Sequence, residues 1–321
     1  MQNRSLFARI GRRARQALTE AYTHRSFTFP PELKDAKSVD LALDEMQERW
    51  SALSAVPDQD PERPVFIFSA GWRSGSTLLQ RLICSSGEIV IWGEPLGDAA
   101  VIPRLASSLS VLSSGWPPEE YFSDHVALES FSSSWIANVT PQMQYLRQAH
   151  RAFLDAWLVE SAKGAYGLSR WGLKEVRLTI EHARYLKWLY PNARFVFIYR
   201  NLPDAYRSWR GNTWSSAWPG YFSWSPIAYA RHWKLLLSGY LDGYRDVDGY
   251  LVKYEDLIQG KIDLEELAQH IGISRMDPGV LKKKIATPDK KRKKQIRWVT
   301  PLESAVLWMI GGKLQKRLGY R

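Results

Sequence analysis

The chain has 321 residues, 45% of them hydrophobic, enough to bury a sizeable core as one large domain or one domain with appendages. A single cysteine, Cys84, excludes an internal disulfide and a cysteine-rich metal centre. No apolar run reaches about 18 residues and the N-terminus lacks an apolar signal core, so a reducing, cytoplasmic setting is expected. The net charge of +11 is uneven: residues 282–297 hold nine basic side chains and one acidic one. That leaves +3 for the rest and argues against a uniformly basic nucleic-acid binder.

Residues 1–25 carry Arg4, Arg9, Arg12, Arg13 and Arg15 among Leu6, Phe7, Ile10, Leu18 and Ala21. This basic amphipathic pattern fits a helix on a membrane surface, or one packed on the rim of the domain, which is the plainer reading. Residues 26–63, with Pro30, Pro31, Pro57 and Pro61, read as a linker around a helix near 42–53. The division expected is an N-terminal extension over 1–60 and the main domain over 61–321.

Val65–Phe68 is a short apolar, β-favouring run that stops at small residues. Gly71 and Gly75 then punctuate a tight loop, and Leu78, Leu79, Leu82 and Ile83 recur at helical spacing. Cys84 falls on the apolar side of that helix, as a core residue would. Strand, glycine loop and helix together make an anion cradle, in which Arg73, Ser74, Gly75, Ser76 and Thr77 are the candidate contacts. The nucleotide-hydrolase pattern G-x-x-x-x-G-K-[ST] is not met: Ala70 stands at its first glycine, Ser76 at its lysine, and the cation lies inside the loop at Arg73.

Glu88–Trp92 reads as a second strand ending in Gly93-Glu94-Pro95, which sets Glu94 at the carboxyl edge of the sheet beside the cradle. A serine-rich stretch over 99–135 is expected to be helical, and a helix is expected near 142–161. Trp171–Glu175 is a short strand carrying Lys174, followed by an amphipathic helix over 179–190. A buried strand from Arg194 runs into Arg200. Pro203 and Asp204 then open a helix that carries Ser208 one turn in. Arg200 and Ser208 offer charged donors and a hydroxyl to a phosphate, where a nucleotide hydrolase would place an Asp for magnesium.

Residues 209–233 are rich in aromatics: Trp209, Trp214, Trp218, Tyr221, Phe222, Trp224, Tyr229 and Trp233. They suit an acceptor wall or a packed helical lid equally. A helix reaches about Tyr244, a strand over 250–252 leads into Lys253-Tyr254-Glu255-Asp256-Leu257, and helices follow over 263–271 and 302–318. Between those helices lies the basic segment.

Three stretches in this order resemble one family. The glycine loop with its displaced cation, Arg200-Asn201-x-Pro203-Asp204-Ala205-x-x-Ser208, and Lys253-Tyr254-Glu255-Asp256-Leu257 are similar to the motifs of sulfotransferases that use PAPS (3′-phosphoadenosine 5′-phosphosulfate). The arginine loop and the Gly93-Glu94 pair look most like tyrosylprotein sulfotransferases and related bacterial enzymes. The resemblance covers about residues 64–260. It implies a P-loop-like three-layer α/β sandwich with a central parallel sheet flanked by helices.

The resemblance also implies PAPS as co-substrate without metal, a hydroxyl-bearing acceptor (carbohydrate, lipid, small molecule or protein tyrosine), Glu94 as base, and sulfuryl contacts from Arg73 and Lys174. It places Arg200, Ser208 and Tyr254 at the nucleotide, with Thr287, Lys290 and Lys294 as candidates in the basic loop, although the family's usual R-K-G signature is absent there. Two other readings are a P-loop kinase-like phosphotransferase and a non-enzymatic nucleotide- or polyanion-binding protein. His125, His182 and His232 are alternative bases outside any motif.

Overall fold

The computed structural model describes residues 36–49, 63–113, 115–210, 225–283 and 298–320. The first 35 residues, the aromatic stretch 211–224 and the basic stretch 284–297 lie outside the described residues, and with them the expected N-terminal basic helix and Thr287, Lys290 and Lys294.

Among the described residues, five strands form one sheet: β1 (Val65–Ser69), β2 (Val90–Gly93), β3 (Trp171–Glu175), β4 (Arg194–Tyr199) and β5 (Gly249–Lys253). Their order is β2-β3-β1-β4-β5 and every pairing is parallel. A strand buried on both faces needs apolar side chains at odd and even positions alike. β1 and β4 have them: Phe66, Phe68, Phe195 and Phe197 point into one core, and Val65, Ile67, Val196 and Ile198 into the other.

The helices sort onto those two faces. On the phenylalanine side lie α1 (Ala36–Arg49), α3 (Val101–Ser107), α4 (Met143–Leu154), α6 (Ile180–Leu189), α7 (Leu202–Arg210), α8 (Pro226–Gly243) and α11 (Pro301–Arg317). On the aliphatic side lie α2 (Ser76–Cys84), α9 (Tyr254–Ile258) and α10 (Leu264–Ile271). This is the expected three-layer α/β sandwich with a parallel sheet. Cys84 is half-buried against the aliphatic core, and burial pushes its thiol pKa up, as for an unreactive packing residue.

Three expectations need correction. The first described helix spans 36–49 rather than 42–53. Among its described residues, the serine-rich stretch 99–135 holds a seven-residue helix and single 3₁₀ turns at 119–121, 123–125 and 128–130, after one that ends at Ala99. Serine hydroxyls there bond to carbonyls three residues back, as Ser107 to Arg104 and Ser130 to Ala127 do, and so compete with a continuing helix. Finally, α4 does not run straight to 161. It passes through a π-helical turn, Asp155–Val159, into α5 (Glu160–Tyr166). The indole of Trp92 donates to the Leu158 carbonyl in that turn at 3.1 Å.

Two histidines are fully buried and neutral. His182 accepts from the Thr179 backbone N–H at 3.1 Å in a capping box at the start of α6, and burial pulls its pKa down to about 3. His232 is held down to about 4 by burial, with its carbonyl contact to Val176 opposing and Arg177 adding. In the unfolded chain both protonate near 6.5, whereas in the fold they stay neutral down to about 3–4. Protons therefore favour unfolding, and stability is expected to fall as pH drops below 6.5, by up to about 2 kcal/mol per histidine at pH 5. Thermal unfolding between pH 7 and 5 checks this. His182→Asn should flatten the slope, and an unchanged slope would contradict it.

Candidate active site

In a parallel sheet the strand order reverses on either side of β1, and ligands bind beyond the carboxyl ends at that point. Here that edge collects Ser69, Glu94, Lys174, Arg200 and Tyr254 from the ends of all five strands.

The loop between β1 and α2 is built to turn sharply. Gly71 and Gly75 have φ of +83° and +98°, and Arg73, which has a Cβ, is held at +67°. Strain at a non-glycine residue persists where the surroundings over-determine it. Those surroundings are visible: the Ser69 hydroxyl bonds Gly71 O at 2.8 Å, Ser74 Oγ bonds Ala70 O at 3.0 Å, and Tyr229 OH donates to Trp72 O. Trp72 stacks on His232 with ring centroids 4.6 Å apart, and Trp209 packs on Trp72 at 5.2 Å. At Gly75 a Cβ would lie 2.2 Å from the Tyr254 ring, so that ring sits directly on the loop backbone. Among the described residues, no backbone N–H between Gly71 and Leu78 reaches a backbone carbonyl; Leu78 N–H closes the turn onto Gly75 O at 2.9 Å. Unused N–H groups at the start of α2 make an anion cradle.

Cations converge on it. Arg73 Nε donates to Ser208 Oγ at 3.1 Å, and Arg200 Nη1 donates to Arg73 O at 3.2 Å. The Arg200 guanidinium lies 4.4 Å from the Tyr254 ring centroid. Its buried Nε has no hydrogen-bond partner among the described residues. Crowding also acts on Arg73: burial lowers its pKa, Tyr229 and Tyr254 oppose, and Arg200 adds to the lowering. Because Arg73 keeps an exposed face, water softens that effect. Two guanidiniums side by side, one with an orphaned N–H, are short of negative charge. An anionic ligand would supply it.

Across the cradle, Glu94 follows β2 in a left-handed backbone conformation, φ +33°. Its N–H bonds Lys174 O at 2.9 Å, and its Oε1 accepts from Lys174 Nζ. Lys174 is only 5% exposed, whereas the Glu94 side chain keeps 30%. The buried lysine is thus paired with a carboxylate that still meets solvent.

The structure thus brings Arg73, Ser74, Gly75, Ser76, Thr77, Arg200, Ser208 and Tyr254 to one cradle, with Glu94 and Lys174 paired at the same sheet edge. His125 instead stands half-exposed beside Asp124, 4.0 Å away, and His182 is spent on the capping box. Trp209, Tyr229 and Trp233 are core side chains, so those members of the aromatic stretch do not form an open acceptor wall. Arg177 and Glu175, which sequence reasoning passed over, lie beside Glu94: Arg177 Nη2 is 3.8 Å from Glu94 Oε2. Their only signal was charge at the end of a buried strand. Among the described residues, no group of three or more His, Cys, Asp or Glu side chains is placed to hold a metal, and no helix is long and apolar enough to cross a membrane.

An anion cradle, two neighbouring guanidiniums and a carboxylate thus share one sheet edge. The sulfotransferase family model matches residues 64–278, about two thirds of the chain, and the chain belongs to that family. No curated protein matches it in sequence. Among solved structures it is similar to the sulfotransferase domain of the olefin synthase of Synechococcus PCC 7002, at 17% identity and a TM-score of 0.39, over 83% of this chain and 98% of that one. It is also similar to a sulfotransferase of Mycobacterium avium, at 12% identity and a TM-score of 0.37, over 90% of this chain and 85% of that one.

Proposed function

We propose that the protein transfers the sulfuryl group of PAPS to a hydroxyl of an acceptor, releasing 3′,5′-ADP (PAP), with Glu94 as general base. The observation that carries the reading is the pairing at one sheet edge of an anion cradle, short of negative charge at Arg73 and Arg200, with a solvent-reachable carboxylate at Glu94. The residues fit a doubly anionic nucleotide. Loop N–H groups and Arg73 receive the 5′ end, and Arg200 with Ser208 receives the 3′-phosphate.

Each residue then has one task. Glu94 takes the proton of the acceptor hydroxyl as the oxygen forms its bond to sulfur. The bond from sulfur to the 5′-phosphate oxygen breaks, and that oxygen keeps the electron pair. Lys174, Arg73 and the loop N–H groups stabilise the charge that develops on it and on the sulfuryl oxygens. Thr287, Lys290 and Lys294 belong to this proposal as nucleotide contacts from the basic segment. The division at residue 61 belongs to it too, as does a cytoplasmic setting with a peripheral helix over 1–25.

A kinase-like reading is separated by metal. With a chelator present, PAP release from PAPS is expected to depend on added hydroxyl acceptors and to persist, while ATP yields no ADP. Magnesium-dependent ADP release, with PAPS inert, would overturn the proposal.

A further inference from the structure

Arg177 lies two residues past the end of β3 and is 2% exposed. Two of its nitrogens grip one carboxylate. Nε donates to Glu175 Oε2 at 3.2 Å and Nη2 to Glu175 Oε1 at 3.3 Å, while the same Nη2 stands 3.8 Å from Glu94 Oε2. Glu175 is itself buried, and its Oε2 also accepts the Val176 N–H at 3.3 Å. A bidentate carboxylate therefore fixes the plane of the guanidinium, and the guanidinium fixes the direction in which Glu94 meets it.

Such a buried pair is a weak source of stability, because desolvation offsets most of the attraction. Burial pushes the Glu175 carboxyl up, against the pull of Arg177, which is the mark of that cost. A positional role explains why the charges sit there. The two oxygens of Glu94 are treated differently: Oε1 takes a direct hydrogen bond from Lys174, whereas Oε2 meets Arg177 at ion-pair distance, too long for a hydrogen bond. Oε2 thus keeps its lone pairs for another donor.

We infer that Arg177, anchored by Glu175, is a positioning residue that aims Glu94 Oε2 at the acceptor hydroxyl. The inference rests on Glu94 acting as the base. Lys174 alone is a poor guide for that carboxylate, because in the proposed reaction its N–H groups also turn to the sulfuryl oxygens. Arg177, held by Glu175, keeps Glu94 in place while Lys174 divides its hydrogen bonds. Two other titratable side chains lie against this cluster: His232, whose ring contacts the Val176 carbonyl at 3.3 Å, and the buried Tyr240, which donates to the Leu178 carbonyl at 2.5 Å.

Arg177→Lys keeps the charge and loses the fork. It is expected to lower the single-turnover rate by roughly 10²-fold, the usual cost of misplacing a reacting group by about 1 Å, with 3′,5′-ADP affinity little changed. Glu175→Gln, the milder variant should the first not fold, is expected to show a smaller loss of the same kind. The deciding arm repeats both substitutions in Glu94→Gln. With no base left to aim, neither should reduce the rate further. If Arg177 and Glu175 only brace the loop after β3, each variant loses the same factor in both backgrounds, which overturns the inference and leaves the base reading standing. Unchanged rates for both variants in the wild-type background overturn it equally. If Glu94→Gln alone retains the wild-type rate, the base reading fails and takes the inference with it.

Discussion

Glu94→Gln is expected to slow sulfuryl transfer by about 10²–10⁴-fold, the usual worth of a general base, while 3′,5′-ADP binds as before. The substitution keeps the shape of the side chain and an oxygen for the Lys174 hydrogen bond, and removes the negative charge and with it the capacity to accept a proton. The site geometry separates this from a structural effect. Glu94 braces its own loop through the backbone, with its N–H on Lys174 O and its carbonyl accepting from Gly97 N–H at 2.9 Å, and both bonds survive the change. Melting temperature, nucleotide affinity and single-turnover rate on one preparation decide the matter. A lower melting temperature with a normal rate per folded molecule would make Glu94 a loop residue. The base role would then need another bearer, with exposed His125 the first histidine to test.

The second large effect concerns the nucleotide. 3′,5′-ADP is expected to bind at least about 10²-fold more tightly than 5′-AMP. Arg200 and Ser208 would each lose a bond to the missing 3′-phosphate, at roughly 1.5–3 kcal/mol for a charge-assisted one. Arg200→Met should remove most of that preference, because it also takes away the orphaned Nε that an anion would satisfy. Equal affinities by calorimetry would show that the cradle does not read a 3′-phosphate.

Much of this was legible in the chain, and the reasons are physical. Apolar residues at consecutive positions in 65–68 and 195–198 demand burial on both faces, hence a parallel sheet with helices on either side. A glycine loop opening a helix fixes its own chemistry, since backbone N–H groups and the helix start need no tertiary partner to attract an anion. Glu94 and Lys174 could be placed because they end strands, and strand ends in such a sheet share an edge.

The rest depended on contacts that local pattern does not carry. Arg177 follows a strand rather than lying in one, so neither period 2 nor period 3.6 says where it points. Only the packing of β2 beside β3 brings it to Glu94. The π-turn at 155–159 has no compositional mark; its sequence, Asp-Ala-Trp-Leu-Val, would serve a helix. Trp209 and Trp233 fall in the aromatic stretch by proximity in sequence, yet α7 and α8 turn both into the core under the loop. Composition alone does not tell a binding wall from a core.

The most direct test of the account is formation of the sulfate ester itself. PAPS labelled in its sulfuryl group, the full chain and a pooled panel of hydroxyl acceptors (sugars, phenols, lipids and tyrosine peptides) are incubated with a chelator, and products are read by mass spectrometry for an added, labelled sulfate. The account predicts at least one sulfated product, which falls with Glu94→Gln and is blocked by excess 3′,5′-ADP. A chain that binds 3′,5′-ADP tightly yet passes labelled sulfate to no member of the panel would contradict it and leave a nucleotide-binding protein in its place.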